Sequence, residues 1–162
     1  MDPLDLIAAP ADNLLGRVDD VLAVAGAPAE HRLWPLLRRL GALPSDVLQA
    51  FVALRAAPLE AAAVRLRARA AGYDDGRSAL RAVSWEGAGG EAYEQARKAL
   101  AAHLVDGPDS LAGRLEATAR YLDDVAEWVE RSRRSLARTL AGAMTSAEAV
   151  AVVTAGAAGP GP

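Results

Sequence analysis

Ser84-Trp85-Glu86-Gly87-Ala88-Gly89-Gly90 divides the longer part of this chain into two stretches with the same kind of spacing. Each glycine inside a helix costs roughly 0.5–1 kcal/mol relative to alanine, so three of them in four positions predict a turn. Upstream, Leu59, Ala63, Leu66, Ala70, Tyr73, Arg77, Leu80 and Ser84 alternate by four and three residues. That is the seam of one helix packing along another, over about 40 Å of rise. Arg77 and Ser84 weaken the seam, and Asp74-Asp75-Gly76 is a candidate interruption. Downstream, an apolar stripe of Tyr93, Ala96, Leu100 and Leu104 leads to a second seam. It runs Leu111, Leu115, Thr118, Leu122, Val125, Val129, Ser132, Leu136 and Thr139, with Asp106-Gly107-Pro108 expected to break or kink the helix between the two pieces. The expected product is an all-α fold, a long antiparallel helical hairpin with Trp85 at its tip.

Residues 1–57 read as a set of short helices covering that hairpin. Asp12 is a candidate cap for a helix bearing Leu14, Leu15, Val18, Val21, Leu22 and Ala25. Pro28 suits the first turn of another, with Leu33, Leu36, Leu37 and Leu40 on one face, Gly41 as its stop and Pro35 shortening it. Ser45 is the candidate cap of a third, carrying Val47, Leu48, Phe51 and Leu54. The hairpin occupies 58–143. Residues 144–162 read as an Ala/Gly/Pro-rich tail, a linker or the place where a longer protein was cut.

The whole chain has 162 residues, 52% of them hydrophobic, with no Cys and a net charge of −3. Alanine supplies 39 residues and Arg outnumbers Lys 17 to 1. Ala- and Leu-rich composition favours helix because these side chains lose little rotamer freedom on helix formation, and no sheet is expected. Eighteen basic against 21 acidic residues lack the electrostatic footprint of a nucleic-acid binder. No Sec signal is visible, since the amino terminus is acidic and interrupted by Pro3 and Pro10. The best candidate for a membrane span, 140–159, is mostly Ala and Gly and carries Glu148, so no stable span is expected.

Catalytic chemistry finds little support. Gly87-x-Gly89-x-x-Ala92 matches a loose dinucleotide fingerprint, but that fingerprint works only where a strand leads into it, and here a helix does. His31 and His103 are the only imidazoles, far apart, and no short-spaced ligand set for a metal exists. Asp123, Asp124, Glu127 and Glu130 read as a solvated helix face, with Glu127–Arg131 and Glu130–Arg134 as Glu-first i,i+4 pairs. Arg131, Arg133, Arg134 and Arg138, preceded by Trp128, form a local basic cluster whose simplest reading is again a solvated face. No catalytic residue, cofactor or metal is expected.

Trp85-x-Gly87 at the turn, Ala92-Tyr93 just beyond it, and heptad-like helices on both sides resemble the WXG superfamily of small helical-hairpin proteins exported by type VII (ESX-like) secretion systems. The N-terminal extension and Gly/Pro-ended tail look most like larger actinobacterial members, in which a helical module precedes a variable effector or toxin domain. The resemblance implies a non-enzymatic interaction module, itself a secretion substrate or the targeting domain of a larger effector. It would be cytoplasmic before export and secreted or cell-surface afterwards. Its partners would be a second copy of itself or a small WXG-like helical protein, and the secretion machinery. Trp85 and Gly87 are the turn motif, and Leu66, Tyr73, Leu80, Tyr93, Leu115, Leu122, Val125 and Val129 the interface candidates. The family's Tyr-x-x-x-Asp/Glu export signal is not found, because Tyr93 is followed four residues on by Arg97 and Tyr121 by Val125. That gap favours the alternative of an intracellular helical adaptor or chaperone-like bundle that is not itself exported.

Overall fold

The computed structural model describes residues 2–24, 29–80 and 84–157, with side chains as far as Thr154. Among these residues the chain is all-helical, with no strand. The helices are α1 (Pro3–Val24), α2 (Leu33–Leu40), α3 (Pro44–Ala53), α4 (Ala57–Ala79), α5 (Ala88–Val105), α6 (Leu111–Met144) and α7 (Ala147–Ala157). They form two compact units, one made of Met1–Arg55 with Val129–Pro162, the other of Ala56–Trp128.

In the first unit, α1 starts earlier than expected. The Asp2 carboxylate accepts the Leu4 amide hydrogen at 2.8 Å and Pro3 takes the first turn, where its missing N–H is no loss. The helix then runs straight through Pro10, and Asp12 sits mid-helix, accepting a hydrogen bond from Gln49 Nε2 at 2.8 Å. Burial of Leu4, Ala11 and Leu14 on one face outweighs the hydrogen bond that Pro10 removes.

Two other starts also depart from the local reading. Helix α3 begins at Pro44 rather than being capped by Ser45. The Asp46 carboxylate accepts the Leu43 N–H at 3.3 Å, and the Ser45 N–H is taken at 3.2 Å by Asp19, reaching over from α1. Asp19 is buried, with its second oxygen unpartnered among the described residues. Substituting Asp19 with Ala is therefore expected to cost about 1 kcal/mol, the usual worth of an N-terminal cap, in a urea titration followed by circular dichroism. Gly41 ends α2 as expected, in the left-handed conformation with its N–H on Leu37 O at 2.8 Å. Pro35 falls in the first turn of α2, and Pro28 and Ala25 lie outside the described residues.

The core of this unit is Leu4, Ala11, Leu48, Ala137 and Leu140, flanked by Ile7, Leu15, Phe51, Val52, Leu136 and Met144. After Met144 the chain does not thin into a tail at once. Ser146 accepts the Ala149 N–H at 3.1 Å and opens α7, an alanine-rich helix that lies against α1 with Ala149 buried. Alanine's helix propensity, together with that cap and contact, decides the outcome. The helix axis bends by 68° between Leu111–Met144 and Ala147–Thr154, so 140–159 is not one continuous helix. By length and composition alone Pro44–Ala79 could cross a bilayer. It includes Arg55 and Glu60, and the backbone leaves the helix at Leu54 (ψ 130°).

The first unit also buries an arginine. Arg133, on α6, is 1% exposed. Its Nε donates to Asp2 at 2.6 Å and its Nη2 to Asp5 at 2.8 Å. Its Nη1 donates to the carbonyls of Phe51, Val52 and Leu54 at the end of α3. One guanidinium thus joins the N-terminus of α1, the C-terminus of α3 and α6. The expected solvated face is corrected here: Arg133 has turned inward because two carboxylates and three orphan carbonyls give a buried cation all the partners it needs. Arg134 behaves as expected, pairing with Glu130 at 3.8 Å on the outside.

Burial alone would push the Asp2 carboxyl up, but the hydrogen bonds from Arg133 and the Leu4 N–H outweigh it and hold Asp2 below its ordinary 3.8. Its contribution to stability is complete above that ordinary value and is lost as pH falls through the lower folded value. An acid titration followed by circular dichroism should therefore show this unit keeping its helicity at pH 4 and losing stability only below that. In Asp2→Asn the dependence should be reduced.

Candidate interaction surface

The Trp85-x-Gly87 segment belongs to the unit Ala56–Trp128. Helix α4 ends at Ala79, earlier than the spacing suggests, with Leu80 extended (ψ 91°) and its N–H on Arg77 O. Asp74-Asp75-Gly76 does not interrupt it. Arg77 bonds Asp74 at 2.7 Å and the Ser78 hydroxyl donates to Asp74 O, holding the last turn together. The residues expected between Leu80 and Ser84 lie outside the described ones.

Gly87 precedes α5 with φ 85° and ψ −178°, a backbone region open essentially to glycine alone. Its carbonyl accepts the N–H groups of Gly90 and Glu91, which begin α5. Gly90 is needed for a different reason. A Cβ there would stand 2.3 Å from the Trp85 carbonyl oxygen and 2.8 Å from the Trp85 Cβ, so the first turn of α5 closes directly on the Trp85 backbone. This holds the indole against Tyr93, with ring centroids 5.7 Å apart and planes tilted by 43°. Trp85 nevertheless remains 64% exposed and Tyr93 38%. Beside them, Glu94 is pulled down to about 2 by its hydrogen bonds with Arg97. Arg97 also reaches Leu80 O at 3.5 Å, which ties α5 to the end of α4.

Both α5 and α6 lie against α4, and α6 runs antiparallel to it. Arg77 of α4 faces Asp106 before α6 starts, Tyr73 lies beside Leu111, Leu115 and Thr118, and Arg67 pairs with Glu116 and Asp123. Helix α5 stands between them in sequence and is separated from α6 by a break at Gly107-Pro108, where Gly107 has φ 83°. Ser110 opens α6 by accepting the Gly113 N–H at 3.0 Å. Asp123, one of the clustered acidic residues, is thereby committed to an ion pair. His103 sits exposed in the last turn of α5, and His31 in the other unit accepts the Leu33 N–H at 3.2 Å.

Leu66, Tyr73, Leu80, Leu115, Leu122 and Val125 are all half-buried, while Val129 is buried in the other unit. Apart from Val129, the fully buried row of α6 is displaced by one residue from the expected seam. Ala119 and Ala126 are buried here, and Arg133, Ala137 and Leu140 further along, whereas Thr118 and Thr139 are exposed. Alanine lets two backbones approach closely, so the tightest contact forms where side chains are smallest.

This leaves the unit with an unusual distribution. Its buried apolar residues, among those described, are Ala56, Ala63, Ala119 and Ala126. Four of its five large aromatics are exposed, Trp85, Tyr93, Tyr121 at 65% and Trp128 at 50%, while Tyr73 is half-buried. Tyr121 and Trp128 are seven residues apart, hence about 10.5 Å along one face of α6, and roughly 200° around from the alanine row. Sequence reasoning missed them because they are off the apolar seam. Their heptad spacing was the available signal. Among the described residues no group of three His, Cys, Asp or Glu side chains is placed to hold a metal.

Neither a protein-family model, nor a curated protein, nor a solved structure matches this chain.

Proposed function

We propose that the chain is a non-enzymatic WXG-like helical interaction module, acting as a type VII secretion substrate or as the targeting domain of a larger effector. The observation that carries the interaction role is the inverted unit Ala56–Trp128, whose fully buried apolar side chains are alanines while four of its five large aromatics are exposed. A domain of this size with a full hydrophobic core gains only about 3–5 kcal/mol from it, and four alanines bury far less area than four leucines would. Trp and Tyr are the residues most enriched at interface hot spots, where they bury large area at little entropic cost. A second helical pair laid over α6 would cover Tyr121 and Trp128, and Trp85 with Tyr93 would extend the contact. The secretion role rests on the resemblance of Trp85-x-Gly87 and Ala92-Tyr93, and the partner is a second copy or a smaller helical protein of the same kind.

Export is tested by expressing the tagged chain in an actinobacterial host with and without its type VII ATPase. The proposal expects ATPase-dependent appearance in the medium. Retention in the cytoplasm of both strains, with a helical partner still bound, would favour the intracellular adaptor, the reading to which the missing Tyr-x-x-x-Asp/Glu signal points.

A further inference from the structure

The structure points to a second ligand class, at a site remote in sequence from the Trp85 segment. We propose that the groove between α1 and α7 takes the hydrocarbon chain of a single-chain anionic amphiphile, a fatty acid, and that Arg17 and Asn13 hold its carboxylate.

Pro10 and Leu14 of α1, Met144 of α6, and Ala149, Val150 and Val153 of α7 line this groove, which has a volume of about 330 Å³. That is at the lower end of the range for small-molecule sites, which are mostly apolar with a few placed polar groups. The Thr154 hydroxyl also lines it, but already donates to Val150 O at 2.8 Å. Water in such a groove finds few partners, so an alkyl chain replaces it favourably. Val150 and Val153 are 56% and 43% exposed, so the groove is accessible from outside.

Charge selects the ligand. Arg17 lies one turn beyond Leu14 on α1, and its Nη1 donates at 3.0 Å to the carbonyl of Val153, a groove residue. Its Nε donates at 3.2 Å to Asn13 Oδ1. Among the described residues Arg17 Nη2 and the Asn13 amide NH₂ make no hydrogen bond, which leaves a cationic donor and a neutral donor side by side. A carboxylate accepts from both, and such charge-assisted bonds are the stronger kind. Glu148 precedes Ala149 at the opposite end of the groove stretch of α7, where it repels an anionic head and so sets one orientation. An amphiphile with a cationic head has the opposite preference, and one with a neutral head loses the Arg17 contribution.

The sequence contains only two methionines, Met1 and Met144, so methyl-¹³C-methionine labelling places one of its two probes in the groove. The full chain is titrated with sodium dodecanoate below its micelle-forming concentration, and in parallel with dodecan-1-ol and dodecyltrimethylammonium. The expected result is a saturable shift of the Met144 methyl, weaker for the alcohol and weakest for the cation. Arg17→Gln should weaken dodecanoate about tenfold and leave the alcohol unchanged. Val150→Trp, at an exposed wall position, should abolish both. The proposal is overturned by no shift, by non-saturable shifts equal for all three amphiphiles, or by a Met144 response only to anionic vesicles, which would make this face a membrane contact.

Discussion

Replacing Arg133 with Ala is expected to destabilise the unit of Met1–Arg55 and Val129–Pro162 by about 3–5 kcal/mol, enough to unfold a marginal domain. The substitution removes one cation and strands five acceptors. Asp2 and Asp5 lose their shared counter-charge, although Arg55 still reaches Asp5 at 3.3 Å. The carbonyls of Phe51, Val52 and Leu54 lose the donor that closes the end of α3. Arg133→Lys should recover only part of the loss, because three donors on one nitrogen cannot reproduce a planar fork spanning two carboxylates and a helix terminus. Urea titration gives the magnitude, and amide exchange should show protection lost first in α1 and α3. A loss below about 1 kcal/mol, typical of an exposed ion pair, would mean that the guanidinium is solvated after all.

The second large effect is expected from Gly90→Ala. The added methyl would meet the backbone of Trp85, with contacts of 2.3 Å to the carbonyl oxygen and 2.7 Å to the carbonyl carbon, and backbone yields less readily than a flexible side-chain end. Overpacking of this kind costs about 1–3 kcal/mol. It should also displace Trp85 from Tyr93, moving the indole N–H resonance of Trp85. Gly89→Ala is the control. A Cβ at Gly89 meets nothing within 4 Å, so in the first turn of α5 it should be neutral or stabilise by up to ~1 kcal/mol through helix propensity. Equal effects at the two glycines would contradict the packing described for Trp85.

The all-helical class was legible from alanine content and from spacing by threes and fours, and the stop at Gly41 and the break near Pro108 from turn chemistry. Features that depend on partners distant in sequence were not. Asp12 and Ser45 are good local cap residues, yet α1 is capped by Asp2, and the start of α3 is held by Asp19 from another helix. Arg133 among three other arginines looks like solvent-facing charge. Only its place seven residues beyond Ala126 and seven before Leu140 marks it as part of a core row. Tyr121 and Trp128 stayed hidden because a seam search follows the apolar stripe, and here the stripe that packs most tightly is alanine. The positive φ of Gly87 could be read locally, since it is a property of the glycine itself.

The most direct test of the interaction role is the mass of the full chain by light scattering coupled to size exclusion, at concentrations from 5 to about 200 µM to cover weak and moderate association. The proposed pairing predicts twice 16.8 kDa for the wild type, falling to the single-chain mass in Tyr121→Asp/Trp128→Asp with unchanged circular dichroism. A wild type that stays at 16.8 kDa throughout, or a double variant that still pairs, would contradict the claim that the aromatic face of α6 is the interface.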